Sequence, residues 1–206
     1  MNHPLVSVVT VTYNQEFYIG QAVEGALQQQ TDFGVEIIIG EDCSTDSTRE
    51  IVLGYQRKYP DRIQVITSNH NVGNRENFLR VLVACRGKYI AVCDGDDYWT
   101  DPHKLQKQVD FLEANPAYSL CCHDVEIVFD GVPQTPRSAR YLDFAKDTFS
   151  FEDAVRGHFI PTLSIVCRRE PIMDPPNWYT ECISGDVPLE LLVLDKGTGY
   201  YMHETM

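Results

Sequence analysis

Apolar and polar positions alternate in blocks along the first hundred residues. Leu5 to Thr12 (LVSVVTVT) is a β-branched run that stops at Tyr13-Asn14, which predicts a buried strand. Phe17, Ile19, Val23, Ala26 and Leu27 then recur at helical spacing between Phe17 and Gln30. Val35 to Ile39 predicts a second strand, ending at Gly40-Glu41-Asp42. Ser44-Thr45-Asp46-Ser47 offers N-cap chemistry to a helix carrying Ile51, Val52 and Tyr55. Ile63 to Thr67, Asn77 to Cys85 and Tyr89 to Cys93 repeat the pattern as strand, helix and strand. Such alternation predicts an α/β fold, a mostly parallel central sheet flanked by helices.

Beyond Cys93 the alternation weakens. Lys104 to Glu113 predicts a helix closed by Asn115-Pro116, and Tyr118 to Phe129 a long strand. Gly131 to Arg140, with Pro133 and Pro136, reads as a loop. Phe151 to His158 predicts a short helix and Leu163 to Arg168 a further strand, while the prolines between Pro171 and Tyr179 predict irregular chain. Pro188 suits an early turn of the apolar helix Leu189 to Leu194, where its missing N–H costs little. With no repeat and no low-complexity linker, residues 1–206 are expected to form a single domain.

Ligands of parallel α/β sheets bind outside the carboxyl ends of the strands. Four polar clusters fall at such ends: Thr12-Tyr13-Asn14, Glu41-Asp42, Asn69 to Arg75, and Asp94 to Asp97. The last lies within KYIAVCDGDDYWTDP, where an apolar run empties into three carboxylates. Carboxylates this close raise one another's pKa unless a cation or a set of donors neutralises them, and a divalent metal is the natural candidate. Gly95 lets the backbone turn tightly and lets a ligand approach closely.

The 206 residues carry 17 Lys plus Arg against 30 Asp plus Glu, a formal charge of −13. That field repels nucleic acid but still admits a small phosphorylated ligand held by a metal and local basic groups. Seven cysteines without a C-x-x-C pair predict reduced thiols rather than zinc or disulfides. Met1 to Pro4 lacks the basic start of a signal peptide, and no apolar stretch is long enough to span a bilayer. A cytoplasmic location is therefore expected.

The segments VSVVTVTYNQEFYIGQAVEGALQQ, VEIIIGEDCSTDST and NVGNRENFLRVLVACRGKYIAVCDGDDYW together resemble the inverting, nucleotide-sugar-dependent glycosyltransferases of family 2, which share the GT-A fold. The resemblance implies a nucleotide-sugar-binding half over residues 1–100 and an acceptor-binding half over residues 101–206. It implies that Tyr13 stacks on the uracil of a UDP-sugar, with Thr12 lining the same pocket; a core-packed Tyr13 is the competing reading. Asp42 is similar to the carboxylate that accepts the uracil N3 proton, although Asp42 or Asp46 could instead cap the next helix. Arg75 resembles the basic residue near the diphosphate, with Arg80 as the alternative. Asp94 and Asp96 match the two ends of the D-x-D motif, the first at the ribose and the second on Mn²⁺ or Mg²⁺, with Gly95 between them. Hard oxygen ligands suit either ion. Asp97 is expected to buttress the turn through the backbone.

In ISGDVPLELL, Asp186 resembles the family's catalytic base, which deprotonates an acceptor hydroxyl; a helix N-cap is its competing role. Trp99, Trp178 and Tyr179 are either sugar platforms or packing residues, and Glu181 with Cys182 to Ser184 is placed near the acceptor. His123 and His158 are read as structural. The implied partners are a UDP-sugar and a glycan or lipid-linked acceptor. A lipid-linked acceptor would bring the protein to the inner face of the membrane without an anchor. Family members usually continue past the position of Met206 with a Tyr-Arg segment and a histidine-bearing loop, so a C-terminal segment is expected to be missing; His203 does not take that histidine's role.

Two other enzyme or binding classes share the aspartates. A haloacid dehalogenase-type phosphohydrolase places Thr or Val where Tyr98 stands. An EF-hand needs glycine and glutamate at the positions of Trp99 and Leu105. A nucleotide-binding module without catalysis is the non-enzymatic reading.

Overall fold

The computed structural model of the chain describes residues 3–129, 132–133, 147–156, 160–182 and 185–206. Its first half is built from β1 (Val6–Thr12), α1 (Ile19–Leu27), β2 (Val35–Glu41), α2 (Thr48–Lys58), β3 (Ile63–Thr67), α3 (Asn74–Ala84) and β4 (Tyr89–Val92). These strands pair in parallel in the order β3-β2-β1-β4. All seven residues of β1 are buried, as a central strand covered on both faces requires.

The chain continues through α4 (Lys104–Ala114), β5 (Tyr118–Asp124), β6 (Val128–Phe129), β7 (Val132–Pro133), β8 (Thr148–Phe149), α5 (Phe151–Val155), β9 (Val166–Arg168), α6 (Asp186–Leu194) and β10 (Thr198–Thr205). The completed order is β3-β2-β1-β4-β9-β5-β10-β8. β9 runs antiparallel to both β4 and β5, β8 antiparallel to β10, and β10 parallel to β5. β6 and β7 pair only with each other. The result is the expected α/β architecture with a mostly parallel sheet.

Side-chain alternation along the strands divides the core between the two faces. Val9, Val11, Ile38, Ile90 and Val92 pack with Phe78, Val81 and Leu82 of α3 and with Leu189 and Val193 of α6. Val6, Val8, Ile37, Ile39 and Ala91 pack with Ile19, Ala22 and Val23 of α1 and with Leu105, Val109 and Leu112 of α4. Gly40 permits the close approach of α3: a Cβ there would lie 2.5 Å from the Asn77 Oδ1 and from Val81 Cγ2.

Several boundaries differ from the sequence pattern. α1 begins at Ile19, leaving Phe17 84% exposed rather than on the helix's apolar face. α3 begins at Asn74 rather than Asn77, because Gly73 takes φ 87 and starts the helix directly after the loop. Arg75 therefore sits in the first turn. The run Tyr118 to Phe129 breaks into β5 and β6, since pairing with β10 loses register between Met202 and Thr205. Leu163 to Arg168 divides into a 3₁₀ turn, Thr162–Ser164, and β9. The proline-rich stretch contains 3₁₀ turns at Glu170–Ile172 and Asn177–Glu181. Most of the loop expected over Gly131 to Arg140, the His158 end of the helix begun at Phe151, and Ile183-Ser184 lie outside the described residues. All seven cysteines are free thiols.

Candidate active site

The carboxyl ends of β2, β1 and β4 stand side by side, and a cavity of about 330 Å³ opens above them. Its walls include Thr12, Tyr13, Gln15, Asp42, Asn77 and Asp94, with Asp96 at one rim. The loops that form it are tied together by side chains. Asn14, at φ 53, accepts the Thr45 amide at 2.8 Å, and the Gln15 amide donates to Thr48 Oγ1 at 2.8 Å. These bonds pin the loop after β1 to the start of α2. Tyr13 is 43% exposed and lines the cavity, so it is not a core aromatic.

Asp42 is buried, and both of its carboxylate oxygens are engaged: Val72 N–H and Gly73 N–H donate to them at 2.8 Å each. It thereby holds the β3–α3 loop over the cavity. Asp46, one residue before the N-cap Ser47, accepts from Thr48 N, the first amide of α2, at 2.9 Å and from Glu16 N at 3.2 Å. Gly95 has a different reason from a tight left-handed turn. Thr12 Oγ1 donates to Gln15 Oε1 at 2.8 Å directly against it, and a Cβ at Gly95 would meet Thr12 Oγ1 at 2.7 Å.

Asp94 links this cavity to two neighbouring spaces. One is a small pocket lined by Arg75, Phe78, Tyr179 and Asp186. The other is a groove of about 330 Å³ bordered by Asp96, Asp97, Tyr98, Val125, Ile127 and Met206. The structure thus brings Thr12, Tyr13, Asp42, Asp94 and Asp96 around one cavity and Arg75 and Asp186 around the adjoining pocket. Arg80 turns away instead, donating from Nη2 to Thr67 O at 2.7 Å. Asp186 is the first residue of α6; Gly185 precedes it as N-cap without a side-chain bond.

Negative charge accumulates here. Burial, then Asp97, Asp186 and Asp96, pushes the Asp94 carboxyl up to about 8. Burial, then Asp96 and Asp186, pushes Asp97 up to about 6. On α6, burial and then Asp186 push Glu190 up to about 9. Carboxylates that destabilise one another and point into an open cleft fit a hard divalent cation. Among the described residues no three His, Cys, Asp or Glu side chains converge as a complete metal cage.

Other residues resolve differently. Trp99 is a core residue, 4% exposed, with Nε1–H donating to Leu163 O at 2.8 Å. Tyr179 is buried beside Asp186, whereas Trp178 is exposed. The Asp97 amide closes the turn onto Asp94 O at 3.1 Å, while its side chain borders the groove. His123 is fully buried in β5, as its structural reading expects. Sequence patterning does not single out Gln15, Asn77 or Glu190; Asn77 stands at the expected start of the third helix, which the structure moves back to Asn74.

Comparison with known proteins gives the lineage. The chain matches glycosyl transferase family 2 over residues 7–172. An uncharacterized protein of Mycobacterium tuberculosis is 41% identical over 182 residues, covering 84% of this chain and 52% of the relative. The Bacillus subtilis protein TuaG, named as a glycosyltransferase of teichuronic acid biosynthesis, is 33% identical over 207 residues, covering 98% of this chain and 77% of its own. The chain thus spans about half the length of the first of these relatives. Among solved structures, S. aureus TarS 1–349 with UDP superposes with TM-score 0.72 at 21% identity, over 100% of this chain and 61% of that one. The Pyrobaculum calidifontis mannosyltransferase PcManGT with GDP-Man and Mn²⁺ gives 0.73 at 17%, over 100% and 57%. Both carry the same GT-A type fold. No helix among the described residues is long and apolar enough to cross a membrane.

Proposed function

The chain belongs to glycosyl transferase family 2, and from that premise we propose that it moves a sugar from a UDP-sugar to a hydroxyl of a glycan or lipid-linked acceptor, inverting the anomeric centre with the help of Mn²⁺ or Mg²⁺. The observation that carries this reading is the position of Asp94, shared by the cavity that opens over β1 and β2 and by the pocket that holds Asp186. A donor lying in the first would present its sugar to the second.

Tyr13 offers an exposed ring to the base, and Thr12 and the loop held by Asp42 close the pocket around it. Asp94 meets the ribose. Asp96, exposed beside the cavity, would hold the divalent ion, which would supply positive charge against the departing diphosphate. Arg75 adds a planar fork of donors to the same oxygens. Asp186 accepts the proton of the acceptor hydroxyl as that oxygen bonds to the anomeric carbon and the bond from the carbon to the diphosphate oxygen breaks. UDP leaves with the electron pair, and the proton stays on Asp186 until solvent removes it. The acceptor enters along the groove beside Tyr98, and a lipid-linked acceptor brings the protein to a membrane surface.

A panel of UDP-sugars tested for thermal stabilisation with and without Mn²⁺ tests the donor assignment, because a ligand that binds only the folded state raises its apparent stability. A rise in Tm with one UDP-sugar that needs Mn²⁺ is expected. No response to any of them contradicts the reading.

A further inference from the structure

The pocket between Asp94 and Asp186 is small and apolar inside. Its volume is about 20 Å³, room for one water-sized group. Val11, Phe78, Val92 and Leu189, all buried, form its interior. Asp94, Thr162 and Asp186, half-buried, stand around its mouth. Val11, Asn74 and Asp94 also border the donor cavity, so the two spaces meet along these residues. Water gains little among apolar walls, because it needs two or more polar partners. A methyl group has the right size and polarity, and its transfer there from water is favourable.

We propose that the donor sugar carries an acetamido group at C2, whose methyl fills this pocket. The inference rests on the UDP-sugar reading above and adds the sugar class to it. The anomeric carbon has to lie between the diphosphate, beside Asp94 and Asp96, and the proton acceptor Asp186. The pocket borders both Asp94 and Asp186. C2 is the ring carbon bonded to the anomeric carbon, so its substituent is held close to this pocket. An acetamido group is short and planar, apolar at its end and polar at its root. Its methyl suits the four apolar walls. Its N–H donates to a carboxylate at the mouth, and its C=O accepts from the Thr162 hydroxyl. A hydroxyl at C2 is too short to reach the walls and leaves the space unfilled, forfeiting those contacts.

Isothermal titration with Mn²⁺ tests this on the wild type, pairing UDP-GlcNAc with UDP-Glc and UDP-GalNAc with UDP-Gal. In at least one pair the acetamido sugar should bind about tenfold tighter or more, since a buried methyl and an amide hydrogen bond each contribute severalfold. UDP-N-propionylglucosamine, one methylene longer, should fall back towards UDP-Glc. Gly185→Ala fills the pocket without strain: at φ −86, its Cβ would lie 3.7 Å from Arg75 Cγ and 4.0 Å from Tyr179 Oη, ordinary contact distances. This variant should abolish most of the acetamido preference and leave the affinity for UDP itself unchanged. Equal binding within both pairs, or a propionyl donor as tight as the acetyl one, overturns the proposal whatever the variant does. So does a Gly185→Ala protein that weakens both sugars of a pair alike, or a wild type that binds UDP-6-deoxyglucose as tightly as UDP-GlcNAc. UDP binding without sugar preference leaves the donor reading standing; no binding of UDP or any UDP-sugar overturns that reading, and this assignment with it.

Discussion

Glu190 puts a carboxyl inside the helix that carries Asp186, and its replacement by glutamine makes a sharp test of the electrostatics of the site. The side chain is 2% exposed, its Oε1 has no hydrogen-bond partner among the described residues, and burial followed by Asp186 raises it to about 9. An unfolded glutamate titrates near 4.5. Between these values the folded state keeps a proton that the unfolded state has lost. Stability is therefore full below pH 4.5 and declines as pH rises towards 9, by ~1.4 kcal/mol per pH unit. From pH 5.0 to 7.5 this amounts to ~3 kcal/mol, a large share of the stability of an ordinary domain. Glu190→Gln keeps the shape and the neutral state, so it should remove that slope and be the more stable protein at pH 7.5. Other groups titrate in the same range, and the difference between wild type and variant cancels them. Urea unfolding at half-unit steps from pH 5.0 to 8.5 measures it. A difference that stays flat within ~0.5 kcal/mol across the range would refute the reasoning, because it would mean that Glu190 is ionised in the fold and well partnered.

Lys104 gives the opposite sign: it is fully buried, Nζ donates to Gln108 Oε1 at 2.7 Å, and burial lowers it to about 7. The unfolded lysine holds its proton to higher pH, so the wild type should gain stability relative to Lys104→Met as pH rises from 7 to 9, by urea titration. Gly95→Ala forces a Cβ to within 2.7 Å of Thr12 Oγ1; overpacking of this kind costs ~1–3 kcal/mol and should lower Tm by several degrees in a calorimetric scan. Asp42→Asn leaves a single carbonyl oxygen for the Val72 and Gly73 amides. Hydrogen exchange at those two amides should accelerate tenfold or more, while exchange in β1 stays unchanged.

The first half of the fold is legible because each of its strands and helices buries a continuous or periodic apolar face. β1 to β4 and the polar clusters at their ends follow directly from that rule. The later sheet is not legible in this way. β9 is a three-residue strand that inserts antiparallel between β4 and β5, pairings between segments over forty residues apart that no local pattern encodes. Trp99 shows the same limit, since its indole is fixed by Leu163 O from a distant turn. Glu190 lies in the apolar run PLELLVL, where a lone acidic residue normally marks the solvent face. Its burial depends on how α6 packs against β5, which only the tertiary structure decides. Asp94 and Asp96 were readable because a buried strand led into them, whereas the engagement of Asp42 by the loop amides arises from contacts across thirty residues.

The claim that Asp186 is the base of a glycosyl transfer meets its most direct test in steady-state kinetics of Asp186→Asn with the UDP-sugar found to bind, an acceptor glycan and Mn²⁺. The expected result is a fall in kcat of ~10²–10⁴, the range for loss of a general base, with UDP affinity within threefold of wild type. Turnover near the wild-type rate would contradict it.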